Sequence, residues 1–257
     1  MITRIALPLI GFLTGLLVVT MGGGGGGMYV AVLTVFFNVP PATAAATSLA
    51  TIIPTTAMGA FSHYRAGNVN VRGGLIMLAG GAVGAVIGSI ISGFIPAEIY
   101  TKLIGGLMLI LTAQMLVSQL RRPKATDENG EKTKGRQSRI LIALVYGFIG
   151  GTMAGLVGLS GTGPIIVGLN QLGCSVLEMV GTSVFVLVGI SLTGFITHIG
   201  VGSVDWQLVG LLLIGTVTGA AIGPMVLKRL DKKKLEKVVG PCILIMLFSM
   251  SIILLVK

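Results

Sequence analysis

Along most of the chain the apolar residues come in long runs separated by short polar connections, without the strict alternation of strands or the one-sided stripe of a soluble helix. A helix needs about 20 mostly apolar residues to cross the hydrocarbon core of a bilayer. Eight regions meet that requirement: Ile5 to Phe37, Ala42 to Ser62, Gly73 to Ile95, Ile99 to Leu120, Ile140 to Leu172, Val176 to Thr197, Trp206 to Leu227 and Val238 to Val256. The first and fifth are longer than one crossing requires and carry glycines in their interiors. At 1.5 Å per residue each has room for a crossing helix, a turn and a half-helix. The pattern predicts an all-α polytopic membrane protein. The first run continues through its glycine tract with no small-residue cleavage site and reads as a retained membrane segment.

A polar stretch at 121–139 separates the fourth run from the fifth. It holds Arg121, Arg122, Lys124, Lys132, Lys134, Arg136 and Arg139 and has no apolar period, so it is expected to be solvated. It divides the chain into an N-terminal transmembrane repeat at 1–120, the linker at 121–139 and a C-terminal repeat at 140–257. The halves are self-similar. Gly11, Phe12, Gly15, Gly22, Gly25 and Gly27 match Gly147, Phe148, Gly151, Gly158, Gly161 and Gly163. With one residue of offset lost, Thr47, Ser48, Gly59, His63, Gly67 and Val69 match Thr182, Ser183, Gly194, His198, Gly202 and Val204. In the same register Gly80, Gly84, Gly88 and Gly105 match Gly215, Gly219, Gly223 and Gly240. Duplication with glycine-interrupted segments at corresponding positions is the pattern of secondary transporters, whose broken helices meet near the bilayer midplane.

Charge then bears on orientation. The linker and the connection from Lys228 to Lys237, with Lys228, Arg229, Lys232, Lys233, Lys234 and Lys237, should both be cytoplasmic. Three simple crossings between them would put them on opposite sides. The conflict disappears if the region Ile140 to Leu172 enters and returns, and treating Ile5 to Phe37 alike gives inverted repeats, favoured here over parallel ones. The composition agrees with lipid as the main solvent: 53% of residues are hydrophobic, 10% are charged and the mean hydropathy is +0.98. A net charge of +10 does not point to nucleic acid, because the basic residues flank apolar runs instead of lining one soluble face. Cys174 and Cys242 have neither disulfide nor zinc spacing.

The candidate chemistry lies in the broken segments. Six consecutive glycines, Gly22 to Gly27, abolish helix propensity and free backbone N–H groups to form an anion-binding nest ahead of a helix N-terminus. Of these, Gly24, Gly25, Gly26 and Gly27 are the candidate ligand-lining residues. The second half offers Ser160, Gly161, Thr162 and Gly163 before Pro164, which suits a first helical turn; a hinge or a close-packing role is the plain alternative in both places. Thr47, Ser48, Thr182 and Ser183 can donate hydroxyl hydrogen bonds to a ligand or bond back to their own helix. His63 and His198 fall at matching helix ends, where a histidine can donate to an anion, accept a proton or cap the helix. Two histidines are too few for a metal site, and no cofactor is implied. Gly80, Gly84, Gly88 and Ser92, with Gly215, Gly219 and Gly223, form small-residue faces that read as packing.

Away from their first turns, where Lys102 and Glu178 stand, the apolar runs contain no Asp, Glu, Lys or Arg. Buried acids mark cation and proton paths, so their absence favours a negatively charged passenger held by dipoles and hydrogen bonds. No nucleophile, base and orienting acid can be placed together, which argues against an enzyme. No G-x-x-x-x-G-K-[ST] motif occurs, so ATP drive would need another chain.

The glycine-rich first segment, the Thr47-Ser48 pair with His63 and the Gly67-x-Val69 turn, and their second-half forms Gly161-Thr-Gly-Pro, Thr182-Ser183 and His198-x-x-x-Gly202, resemble the sulfite exporter TauE/SafE family of membrane permeases. The resemblance spans nearly the whole chain outside the linker, and departs from the family pattern in having no proline soon after Gly27. It implies a permease of the cell membrane that moves sulfite, a sulfonate or another organosulfur anion by alternating access. A carrier of a nonsulfur carboxylate or oxyanion, and a nontransporting assembly or sensor subunit, are the alternatives. The expected partners are a small anionic substrate and the lipid bilayer, with no nucleic acid; proton coupling and homo-oligomerisation stay open.

Overall fold

The computed structural model describes residues 2–21, 25–120, 136–200, 204–229, 244–245 and 247–256. Gly22 to Gly24, most of the linker, the connection at 230–237, Gly202 and Gly240 lie outside the described residues. The described chain is all-helical: α1 (Ile2–Met21), α2 (Gly26–Phe36), α3 (Pro41–Arg65), α4 (Val71–Ser92), α5 (Ala97–Leu120), α6 (Arg136–Val157), α7 (Thr162–Gln171), α8 (Val176–Ile199) and α9 (Trp206–Arg229), followed by a helical stretch at Leu247–Val256. Four of these, α3, α4, α6 and α8, are long and apolar enough to cross a membrane. The protein is a multi-pass membrane protein. Leu75, Val83, Ile87 and Ile90 on α4, with Leu141, Val145, Phe148 and Ile149 on α6, are exposed and form an apolar outer surface suited to lipid.

Both over-long regions are broken where the glycines fall, the first into α1 and α2 and the fifth into α6 and α7. In the second half the direction of the chain after the break is fixed by contacts. Arg139 at the start of α6 donates to the carbonyl of Leu172 just past α7, at 2.7 Å, and Gln171 donates to the hydroxyl of Tyr146. A Cβ on Gly150 would come within 3.0 Å of Ile165. Thus α7 runs back along α6, and the region returns to the side from which it entered. The corresponding contact in the first half joins Thr14 of α1 to the Tyr29 hydroxyl of α2, at 2.8 Å.

The helices pack in matched pairs. The opening helix of each half lies against a late helix of the other, α1 on α9 and α6 on α4, while α3 and α8 meet at the centre. Glycine makes the first two contacts close. A Cβ at Gly80 or Gly84 would strike the carbonyl of Leu144 or Phe148, and one at Gly147 or Gly151 that of Met77 or Gly81. Equivalent collisions await Gly215 and Gly219 against Pro8 and Phe12, and Gly11 and Gly15 against Leu212 and Thr216. With lipid outside, apolar side chains gain nothing by leaving it, and such backbone proximity supplies the dispersion and Cα–H···O contacts that hold helices together. α5 packs on the C-terminal stretch through Gly105, whose Cβ would meet Leu254 and Ser251.

Replacing Gly151 by valine should force α6 off α4 and cost about 1–3 kcal/mol. Gly210, which faces open space, should accept alanine without loss. Thermal unfolding of the detergent-solubilised protein, followed by tryptophan fluorescence and size exclusion, checks both.

Candidate functional site

The two broken segments meet each other. Gly25 and Gly161 occupy the N-cap positions of α2 and α7 in the left-handed conformation, with φ of 68° and 62°. The carbonyl of Gly25 closes the first turn of α2 by accepting the N–H groups of Met28 and Tyr29. The missing proline after Gly27 therefore leaves the start of this half-helix unaltered. A Cβ on Gly26 would lie 2.6 Å from the carbonyl of Gly158 and 2.9 Å from the N–H of Ser160, so the backbones of the two breaks are in van der Waals contact. Gly27 is next to Leu159, and Gly163 next to Gln114 and Leu111 of α5.

Two half-helix N-termini thus converge. The opening N–H groups of any helix have no acceptor within it, and they carry the positive end of its dipole. Ser48 of α3 sits between the breaks, its hydroxyl 3.1 Å from the carbonyl of Gly158 and 3.3 Å from that of Gly26. Its single hydrogen is shared between them. Ser160 and Thr162 bond to one another through their hydroxyls, at 2.8 Å.

The other candidates separate by location. Thr47 and Thr182 are buried and serve the other half's helices. Thr47 accepts the backbone N–H of Asp205 at 3.3 Å, and Thr182 that of Asn70 at 2.9 Å. Asn70 caps α4 by accepting from Gly73, and Asp205 caps the start of α9 by accepting from Gln207 and Leu208. Ser183 bonds back to Val180 on its own helix. His63 is partly exposed at the end of α3 and lies against Gly181 of α8. His198 is fully buried, and its Nε2 lies 2.6 Å from the carbonyl of Gly155 in the last turn of α6. Gly67 takes the left-handed turn expected after α3, with φ of 74°.

Several supporting residues carry no sequence signal of their own. The last carbonyls of α6 are orphaned by the break, and side chains from other helices satisfy them: Ser89 of α4 and His198 of α8 at Gly155, and the hydroxyl of Tyr100 of α5 at Leu156. Gln114, a lone amide in the apolar run of α5, lies close to Gly163. The matching 135-residue spacing of Thr47–Thr182 and Asn70–Asp205 could have revealed the crossed caps, but only to a reader who already knew which helices touch.

Comparison with known proteins places this arrangement. The sequence profile of the sulfite exporter TauE/SafE family matches residues 7–250. The chain belongs to the TauE/SafE family. It is 34% identical over 199 residues to the "Probable membrane transporter protein YdhB" of Bacillus subtilis (strain 168), covering 77% of this chain and 80% of that one. YtnM and YunE of the same organism, also described as probable membrane transporter proteins, are 26% and 25% identical, over 81% and 77% of this chain and 70% and 76% of theirs. No solved structure matches. As a TauE/SafE protein the chain is a membrane transporter and not an enzyme.

Thr182→Val removes the acceptor for the buried N–H of Asn70 and should lower stability by about 1–3 kcal/mol. Thr182→Ser should restore most of that. A thermal-shift comparison of the three proteins in one detergent is the measurement.

Proposed function

We propose that the protein is a secondary transporter that binds a small anion, sulfite or a sulfonate, between the first turns of α2 and α7. The supporting observation is the meeting of two half-helix N-termini at Gly26 and Ser160. Their N–H groups offer partial positive charge with no fixed cation to trap the cargo. The residues assigned to the site are Gly25, Gly26, Gly27, Ser160, Gly161, Thr162 and Gly163, with Ser48 bridging the breaks. Thr47, Thr182 and Ser183 belong to the surrounding frame. The sulfur chemistry rests on the family's description as sulfite exporters.

The breaks are in contact, so cargo needs them to part. The crossed pairing of α1 with α9 and α6 with α4 gives two rigid units joined at α3 and α8, and rocking there would open the breaks to one side at a time. We assign the halves as inverted repeats. The return of α7 along α6 gives an even count of crossings between the linker and the connection at 230–237, so both basic segments face the cytoplasm under the positive-inside bias. The membrane is then the cell membrane, crossed several times.

The test is flux in proteoliposomes with sulfite, a sulfonate, acetate and sulfate in competition. Gly27→Val and Gly163→Val meet mainly movable side-chain ends, Leu159 at 3.1 Å and Gln114 and Leu111 at 3.2 Å, so the fold survives while the N–H groups are walled off. Each should cut flux at least tenfold with normal insertion. Parental rates in both variants would remove the site from these glycines, and a preference for acetate would move the cargo to the carboxylates.

A further inference from the structure

The two histidines sit at equivalent positions but in unequal surroundings. His63 is partly exposed, whereas His198 has no accessible surface. The Nε2 of His198 faces the carbonyl of Gly155, a group that can only accept, so Nε2 carries the hydrogen. In the neutral ring Nδ1 is then a bare acceptor, and it is buried with no hydrogen-bond partner. A second buried group without a partner, the hydroxyl of Ser191, lies two turns away on the same face of α8, with Gly194 between them. Ser89 bridges the carbonyls of Gly155 and Gly194, at 3.3 and 3.4 Å. A buried polar track therefore runs beside the break that ends α6.

We propose that His198 is the proton-binding group of the transport cycle, and that its protonated form is stabilised by the cargo anion at the adjoining break. This rests on the anion site proposed above. The balance is simple: the Nδ1 lone pair takes one proton, no other bond changes, and the proton leaves from the same nitrogen on the far side.

The surroundings select this role because, among the described residues, they contain nothing else that could neutralise an imidazolium. Four helices pack on α8: α3, α4, α6 and α7. Their charged groups, the other histidine and one tyrosine stand at or near helix ends, His63, Tyr64 and Arg65 on α3, Arg72 on α4, and Arg136 and Arg139 on α6, while Tyr146 in the middle of α6 is engaged with Gln171. On α8 itself Glu178 lies at the opposite end from His198 and is engaged in the capping box with Ser175. Tyr100 of α5 is spent on the carbonyl of Leu156. Asp205, which follows in the chain, holds the N–H groups of Gln207 and Leu208. A lone buried imidazolium is costly in a medium of low dielectric constant. An anion held by the N–H groups between α2 and α7 supplies the missing charge, and the imidazolium forms only beside it. Proton and monovalent anion cross together as a neutral pair. In the proposed cycle, rocking the two units the other way gives His198 the exposure that His63 has here, and it exchanges its proton.

A sulfonate is the probe, because it stays monovalent at any accessible pH and any proton moved belongs to the protein. The full-length protein is reconstituted in liposomes holding a pH-sensitive dye. Sulfonate added outside at equal pH should acidify the lumen. With an alkaline lumen it should accumulate roughly tenfold per pH unit at one-to-one coupling, independently of membrane potential. His198→Gln keeps a donor for Gly155 but cannot take up the proton; it should retain sulfonate-for-sulfonate exchange and lose both acidification and accumulation. His63→Gln should keep both. Sulfonate influx without acidification in the parent protein overturns the proposal whatever the variants do, as does acidification that persists in His198→Gln. Absence of flux for every anion in the parent overturns the transport reading and this proposal with it.

Discussion

A peptide group released from a helix inside a bilayer has no water to bond with, and everything at the centre of this protein answers to that constraint. Breaking two helices exposes carbonyls at the end of one segment and N–H groups at the start of the next. The carbonyls are dealt with inside the fold, at α6 by Ser89, His198 and Tyr100 and at the breaks themselves by Ser48. The N–H ends of α2 and α7 face one another. On the proposed function, a structure that neutralises one polarity of its broken backbone with side chains, and offers the other to its cargo, prefers negative charge.

That economy requires the breaks to come close, and their closeness depends on the glycine faces elsewhere. α6 reaches its position because α4 lets it approach at backbone distance, and α1 does so against α9. The stripes are packing faces, and they set the depth at which α2 and α7 begin. Thr47 and Thr182 act at a second level. By accepting the N-cap N–H of the other half's helix they tie α3 to α9 and α8 to α4, keeping the two central helices in register.

Much of this was legible in the sequence because a bilayer simplifies the code. Run length gave an all-helical chain, although among the described residues only four of the eight expected runs form helices long and apolar enough to cross; glycine clusters at Gly25 and Gly161 gave the breaks, and the four-residue spacing from Gly80 to Gly88 gave a packing face. Charge in the linker and after Lys228 demanded a returning segment, and α7 runs back along α6. The pairings that make the site work were hidden. Ser48 reaches Gly158 across 110 residues and Tyr100 reaches Leu156 across 56, and nothing periodic encodes a partner so distant. The threonine pair illustrates the limit: recurrence marked Thr47 and Thr182 as special, but the same recurrence fits a ligand contact and a crossed helix cap. The difference between His63 and His198 was invisible too, since duplicated sequence cannot say which copy is sealed.

The crossed arrangement of the opening helices also bears on how such a protein is made. When α1 leaves the ribosome its glycine stripe is bare, because its mate α9 is still some 190 residues from synthesis. α4 waits likewise for α6. The early half must rest in lipid unpaired, shielded by tails alone, until its complement arrives.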